Sequence, residues 1–293
     1  MNQSENKPVI GFIGLGIMGA SMAARLAAAG YPLHVYNRTR AKAEPLIAAG
    51  AHWQPTPKAL AEASDIVLTI VGTPADVQAL YLGDEGLIMH ARHDAVLIDM
   101  TTSSPQLAEE LAAQAALRGV HMLDAPVSGG DIGAREGRLS IMVGGASDVL
   151  ARVEPMLRCL GTNIVLQGGP GAGQHTKLCN QIVIASTMLG VCEGLAYARG
   201  AGLDTHAVLS AIGGGAAGSF LLNYMGPRIA NGDFAPGFAI EHFIKDMRIA
   251  HDEAERMGRD LPGLELVLGL YRQLAEQGCA SNGTQALFKL YEG

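Results

Sequence analysis

"VIGFIGLGIMGASMAARLAAAG", residues 9–30, is the stretch from which the rest of the chain can be read. "VIGFIG" (9–14) has no polar residue to mark a wet face, as expected of a strand buried on both sides. "GASMAARLAAAG" (19–30) reads as a helix ending at Gly30. Between them lies Gly14-x-Gly16-x-x-Gly19. In a chain with 38 glycines that spacing alone is a weak signal, but between a strand and a helix it has a mechanism. The first glycine permits a tight turn, the second lets a pyrophosphate approach the backbone, and the third lets the helix pack on the strand. The helix start adds unpaired N–H groups and a positive dipole end. Gly14, Leu15, Gly16, Ile17, Met18 and Gly19 are therefore candidate cofactor-binding residues; the competing reading is a β-α turn that holds nothing.

The alternation continues outward. "LHVYN" (33–37), "DIVLTIV" (65–71), "AVLIDM" (95–100), "VHMLDA" (120–125), "LSIMVGG" (139–145) and "NIVLQGG" (163–169) are apolar runs of strand length, separated by helical stretches such as "RAKAEPLIAAG" (40–50). Such strands belong in a parallel sheet covered on both faces. After "GGPGAG" (168–173) no strand-like run remains. The fold class predicted is an α/β Rossmann-type N-terminal domain with a parallel sheet, residues 1–168, plus an all-α C-terminal domain, residues 169–293. A long helix over about 172–200, roughly 40 Å at 1.5 Å per residue, joins them. A chain of 293 residues agrees with two cores. "QIVIASTMLGVCEGLAYA" (181–198) invites reading as a membrane span, but its apolar run ends at Glu193, short of the ~20 residues needed. It is predicted to be a helix buried on all sides within protein, with no membrane partner.

With 48% hydrophobic and 17% charged residues, disorder is excluded. A net charge of -7 without a basic block argues against nucleic acid as a partner. Cys159, Cys179, Cys192 and Cys279 show neither C-x-x-C nor a Cys/His metal spacing, so no metal is expected and free thiols in a reducing compartment are the simplest reading. "MNQSENKP" is polar and runs directly into the first strand, with no secretory signal in view. A cytoplasmic location is expected.

Cofactor choice should be set where the second strand ends. NAD sites usually carry Asp or Glu there, to hold the ribose 2′-OH. This chain has Asn37-Arg38-Thr39, which leaves no carboxylate to repel a 2′-phosphate and offers a planar guanidinium to clamp one. NADP is favoured, with NAD possible; the plainer reading makes Arg38 a solvated residue at a helix start. In "DMTTSSP" (99–105), Thr101 and Thr102 are placed to bond the nicotinamide end or a substrate, while Ser103 or Ser104 before Pro105 suits a helix cap.

"LDAPVSGGDIGAREG" (123–137) reads as a loop of bare backbone after a buried strand. Ser128 supplies a hydroxyl, and Gly129 and Gly130 leave their N–H groups open to a small carboxylate, a donor nest in outline; a mobile surface turn is the alternative. In "GAGQHTKLCNQ" (171–181), Lys177, Asn180 and Gln181 share one face of an otherwise apolar helix. A cation there is costly unless it is paired or has a task. Lys177 could protonate a carbonyl oxygen as hydride reaches the carbon, with partial burial drawing its pKa toward working pH; Asn180 would orient the substrate. Otherwise Lys177 snorkels to the surface. Lys245, in "FAPGFAIEHFIKDMRIAHDEA" (234–254), reads by itself as part of an amphipathic helix.

In combination, "GFIGLGIMG", "DAPVSGGDIGAREG", "GAGQHTKLCNQ" and "EHFIKDMRIA" resemble the β-hydroxyacid dehydrogenase family, over nearly the whole chain and in the family's order. The resemblance implies a 6-phosphogluconate dehydrogenase-like C-terminal domain and a homodimer or homotetramer. It implies that Ser128 and Gly129 hold a substrate carboxylate, Lys177 is the acid/base, Asn180 binds substrate, and Thr101 and Lys245 contact the nicotinamide cofactor. Within the family, "LDAPVSGG", "KLCNQ", "GGGAAGS" (213–219) and "FAPGF" look most like the branch of tartronate semialdehyde reductases, which implies reduction of a small aldehyde acid. Glyoxylate/succinic semialdehyde reductases are also similar and share the Asn-Arg strand end. 3-Hydroxyisobutyrate dehydrogenases typically carry Asp where this chain has Asn37. Two other readings stay open: an NADPH-binding sensor without chemistry, which the Lys177, Asn180 and Ser-Gly-Gly set argues against, and an imine reductase, which usually lacks that lysine.

Overall fold

The structure, a computed structural model, describes residues 7–292. Its strands are β1 (Ile10–Ile13), β2 (Leu33–Tyr36), β3 (His52–Trp53), β4 (Ile66–Thr69), β5 (Val96–Asp99), β6 (His121–Asp124), β7 (Val127–Ser128), β8 (Leu139–Gly144) and β9 (Gly161–Gly168). They form one sheet in the order β3-β2-β1-β4-β5-β6-β8-β7, with β9 on β8. The first six positions are parallel, and order 3-2-1-4-5-6 is that of a doubly wound nucleotide-binding sheet. Along the strands, side chains alternate between two cores. Phe12, Leu68 and Ile98 pack on one face, and Ile13, Val67 and Leu97 on the other. Both faces are dry, which is why the strands read as unbroken apolar runs.

Three sequence expectations need correction. β8 is antiparallel to β6 and β7, not parallel, because the chain turns back after β6 through a two-residue strand and a short helix, Gly130–Glu136. The same segment is therefore not the open loop that its glycines suggest. Gly129 is exposed, but Gly133 and Gly137 are buried. β9 is not a covered strand either: Val165 and Leu166 are exposed at the sheet edge.

Register fixes where the loops emerge. Tyr36, Ile13, Thr69, Asp99 and Asp124 are successive partners and form one row across the sheet at the strands' carboxyl ends. Asn37, Gly14 and Ile70 follow immediately from that row, and Thr101 and Ser128 come two and four residues after it. Ligands of open α/β sheets bind at this edge, where the chain switches direction between β1 and β4.

The chain divides into two compact units at Lys177/Leu178, inside the helix Ala172–Gly200. Past that point the structure is helical, around a core that includes Met188, Cys192, Leu195, Phe243, Met247, Leu268, Tyr271 and Phe288. The long helix is apolar and long enough to cross a membrane by length and composition, but Leu178, Ala185, Met188, Cys192 and Leu195 belong to the unit's own core. It is not buried all round, as its sequence suggests: Val183 and Tyr197 are 65% and 78% exposed on another stripe. All four cysteines are free.

Candidate active site

Each glycine of the first turn has the environment its role requires. Gly14 has φ +97°, and a Cβ there would collide with the Ile70 carbonyl oxygen. A Cβ on Gly19 would collide with the Gly14 carbonyl oxygen. Gly16, by contrast, faces open space, with no atom within 4 Å of its ideal Cβ position. Gly14 and Gly19 thus serve the turn and its packing, and Gly16 leaves an uncovered strip of backbone at a helix start. That cradle fits a dinucleotide pyrophosphate. Leu15 is buried, Met18 half-buried and Ile17 exposed beside the turn.

Asn37 braces the cradle from the next strand. Its Oδ1 accepts from the Leu15 N–H at 2.9 Å and its Nδ2 donates to the Thr39 carbonyl at 2.9 Å. Arg38 projects into solvent, its side chain 85% exposed and its guanidinium 3.4 Å from Asp76 Oδ1. Asp76 is itself occupied by Thr73 in a capping box at the helix Pro74–Leu82. An exposed pair of this kind adds little stability. Thr39 is exposed next to it.

Two acidic residues in the carboxyl-end row are not assigned by any sequence motif, although an aspartate closing an apolar run is a visible signal. Asp99 accepts from the Thr69 hydroxyl at 2.9 Å and the Thr101 N–H at 3.1 Å. Burial pushes its carboxyl up to about 6, against those hydrogen bonds. Asp124, also buried, is raised by the same cause, while backbone N–H groups of Gly171 and Gln174 hold it down. Thr101 is buried and its hydroxyl accepts from the Val71 N–H at 3.0 Å, so it braces β4 to β5. Thr102 is half-buried, and Ser104 is the residue that caps the next helix.

The Asp99 shift predicts a pH dependence. An acid whose pKa is higher in the folded chain retains a proton that the unfolded chain has released. Its burial therefore costs nothing below about pH 4, an increasing amount up to about pH 6, and a constant amount above. A rise from 3.8 to about 6 corresponds to up to about 3 kcal/mol. Asp99→Asn should gain that much on the parent between pH 4 and pH 7.5 in urea unfolding; a pH-independent gap would refute it.

Lys177 is buried, and its Nζ donates to the Val127 carbonyl oxygen at 2.8 Å. Its ammonium is therefore placed one residue from Ser128, which is half-buried in β7 opposite Ser140. Gly129 and Gly130 follow with φ +129° and +63°, two consecutive positive values that L side chains rarely adopt. A Cβ on Gly130 would meet nothing. Lysine, hydroxyl and open backbone are thus brought together on the carboxyl side of the sheet.

In the helical unit, the Asn180 amide donates to Gln181 Oε1 at 2.7 Å, and Gln181 donates to Asp246 Oδ2 at 2.6 Å. Lys245 Nζ lies 2.9 Å from Asp246 Oδ1. Asp246 is buried, so Lys245 is one end of a polar chain reaching Asn180, not a solvated residue of an amphipathic face. Nothing in the sequence flags Asp246 as the link, because a Lys-Asp pair on a polar helix face is ordinary.

Residues 9–169 match the family model described as the NAD binding domain of 6-phosphogluconate dehydrogenase, and residues 171–291 that described as "NAD-binding of NADP-dependent 3-hydroxyisobutyrate dehydrogenase". With a glycine cradle that fits a dinucleotide, these define an NAD(P)-dependent oxidoreductase acting on CH–OH groups. An uncharacterized oxidoreductase of Bacillus subtilis (YkwC) is 50% identical over 97% of this chain and 99% of its own. The 2-hydroxy-3-oxopropionate reductase of Escherichia coli is 40% identical over 95% of this chain and 93% of its own. Mycobacterium tuberculosis 3-hydroxyisobutyrate dehydrogenase, solved with L-serine, superposes with TM-score 0.90 at 30% identity, covering 98% of this chain and 100% of that one. The chain belongs to the β-hydroxyacid dehydrogenase family.

Proposed function

We propose that the protein is a cytoplasmic, NADPH-preferring reductase of a small aldehyde acid, with 2-hydroxy-3-oxopropionate (tartronate semialdehyde), reduced to glycerate, as the preferred substrate. The observation that carries this reading is the buried Lys177 ammonium held at Val127, beside Ser128 and Gly129. Gly14 to Gly19 and Asn37, Arg38 and Thr39 bind the dinucleotide, with Thr101 and Lys245 toward its nicotinamide end. When bound, that cofactor supplies the hydride. Ser128, Gly129 and Gly130 anchor the substrate carboxylate, Thr102 and Asn180 orient it, and Lys177 gives a proton to the carbonyl oxygen as it becomes an alcohol. The bond from Lys177 to Val127 aims the ammonium before substrate arrives. The choice of substrate is supported by the relationship to the Escherichia coli reductase and the choice of NADP by Arg38. Self-association as a homodimer or homotetramer is supported by exposed Val183, Tyr197 and Phe220 on the helical unit, and light scattering tests it. The cytoplasmic location rests on the four free cysteines.

The test is NADPH and NADH oxidation with tartronate semialdehyde, glyoxylate, succinic semialdehyde and methylmalonate semialdehyde. Turnover led by tartronate semialdehyde is the expected result; tight NADPH binding without turnover of any of the four would move the protein to a sensor role. Arg38→Ala should lower kcat/KM for NADPH by about tenfold to a hundredfold, the worth of charge-assisted bonds to a phosphate. NADH kinetics should change little. An equal loss with both cofactors would remove Arg38 from 2′-phosphate recognition.

A further inference from the structure

Asp124 and Gln174 have no part in the chemistry proposed for Lys177 and Ser128, yet both are buried, one at the end of β6 and one at the start of the helix that carries Lys177. The two carboxylate oxygens of Asp124 accept from the Gly171 N–H and the Gln174 N–H, each at 2.8 Å. These are N–H groups at the start of the long helix, where no partner exists within the helix itself. Gln174 directs its side chain to the neighbouring loop: Nε2 donates to the Thr101 carbonyl at 2.8 Å, and Oε1 accepts from the Ser103 N–H at 2.8 Å. Lys177 comes one turn later and donates to Val127, three residues beyond Asp124. The first two turns of the helix are therefore fastened to the segment Asp124–Val127, by Asp124 at the start and by Lys177 one turn on, and to the loop after β5 by Gln174.

Close approach at this junction is built into the backbone. A Cβ on Gly144 would collide with Asp124 Oδ1, and one on Gly173 would lie 2.8 Å from Asp124 Oδ2. A Cβ on Gly173 would also collide with the Met142 carbonyl oxygen of β8, so neither residue can carry a side chain without displacing Asp124 or the helix start.

We infer that Asp124 and Gln174 are positioning residues that set where the Lys177 ammonium sits relative to the Ser128–Gly130 turn. The inference rests on the proposed role of Lys177 as proton donor. A tilt of the helix start moves the ammonium away from a substrate anchored on that turn, and misplacement by about 1 Å can cost on the order of a hundredfold in rate. Cofactor binding at the glycine cradle is made by other residues and should be spared.

The experiment uses the full chain, tartronate semialdehyde and NADPH. Asp124→Asn keeps the size of the side chain but presents an amide N–H₂ to one of the two backbone donors. Its kcat should fall by about tenfold or more, with the NADPH Kd from fluorescence titration within about twofold of the parent. In a Lys177→Ala background, measured by single turnover, the same substitution should change the residual rate by less than about twofold, since residues acting as a unit are not additive. Gln174→Glu keeps the acceptor for Ser103 and loses the donor to Thr101; it should show a smaller kcat loss with the same non-additivity. Parental kcat in folded Asp124→Asn, or equal losses in both backgrounds, would overturn the inference. Should Asp124→Asn not fold, Gln174→Glu decides by the same two readouts. An inactive Lys177→Ala with an additive Asp124→Asn overturns the positioning role alone. A fully active Lys177→Ala overturns it together with the proposed function.

Discussion

Lys177→Ala should lower kcat by about 10²–10⁴, the range a positioned general acid contributes, while NADPH affinity stays close to that of the parent. The proton needed by the nascent alkoxide would then have to come from water, which a site at a buried lysine admits poorly. Lys177→Arg should be almost as slow, because a guanidinium stays protonated at any working pH and its planar fork does not fit a place built for a point charge. Truncation also removes the donor to the Val127 carbonyl oxygen, which costs stability on the order of 1–3 kcal/mol. Thermal melts must therefore accompany the kinetics, so that loss of fold is not read as loss of chemistry. The measurement is single-turnover NADPH oxidation at saturating tartronate semialdehyde. A folded alanine variant within tenfold of the parent would remove Lys177 from proton transfer.

Lys177 could be singled out from sequence because it is a local anomaly, a cation three residues before an amide in an apolar helix. The glycine turn was legible for a similar reason: its spacing and its place between strand and helix both lie within one short stretch. The sheet was legible because strands covered on both faces read as nearly unbroken apolar runs, separated by helical stretches, but their order in the sheet comes from the structure alone. Direction was not legible either. "LSIMVGG" is as apolar as the parallel strands, and hydrophobicity carries no information on whether a strand runs with or against its neighbour; the return through Val127–Ser128 decided that. β3 and β7 have two residues each, too few for any period. What supports the site was hidden for a different reason. The Asp124–Gly171 and Gln174–Ser103 bonds join residues 47 and 71 positions apart, and a single sequence carries no mark of such pairs. Asp99 and Asp124 were conspicuous as aspartates closing apolar strands, but only the register row shows that they are neighbours.

The second large effect separates glycines that hold the fold from the one that admits the cofactor. In Gly14→Ala the new methyl group would collide with the Ile70 carbonyl oxygen at a backbone position with φ +97°. Left-handed strain of about 1–2 kcal/mol and overpacking of about 1–3 kcal/mol act together. The loss should be on the order of 4 kcal/mol, seen as a fall of about 10 °C in Tm. Gly19→Ala meets the Gly14 carbonyl oxygen in the same turn and should behave similarly. Gly16→Ala is the informative contrast. Gly16 has φ -74°, ordinary for alanine, and its Cβ would touch nothing, so stability should stay within about 0.5 kcal/mol of the parent. The methyl group would nevertheless occupy the space through which a pyrophosphate reaches the backbone, and NADPH affinity should drop on the order of tenfold or more. Thermal melts and NADPH titrations of the three variants separate the two roles. Parental NADPH affinity in Gly16→Ala would mean that the phosphates do not lie on this turn. A parental Tm in Gly14→Ala would mean that the turn relaxes around a methyl group, and that the tight approach of β1 to Ile70 is not what the glycine is for.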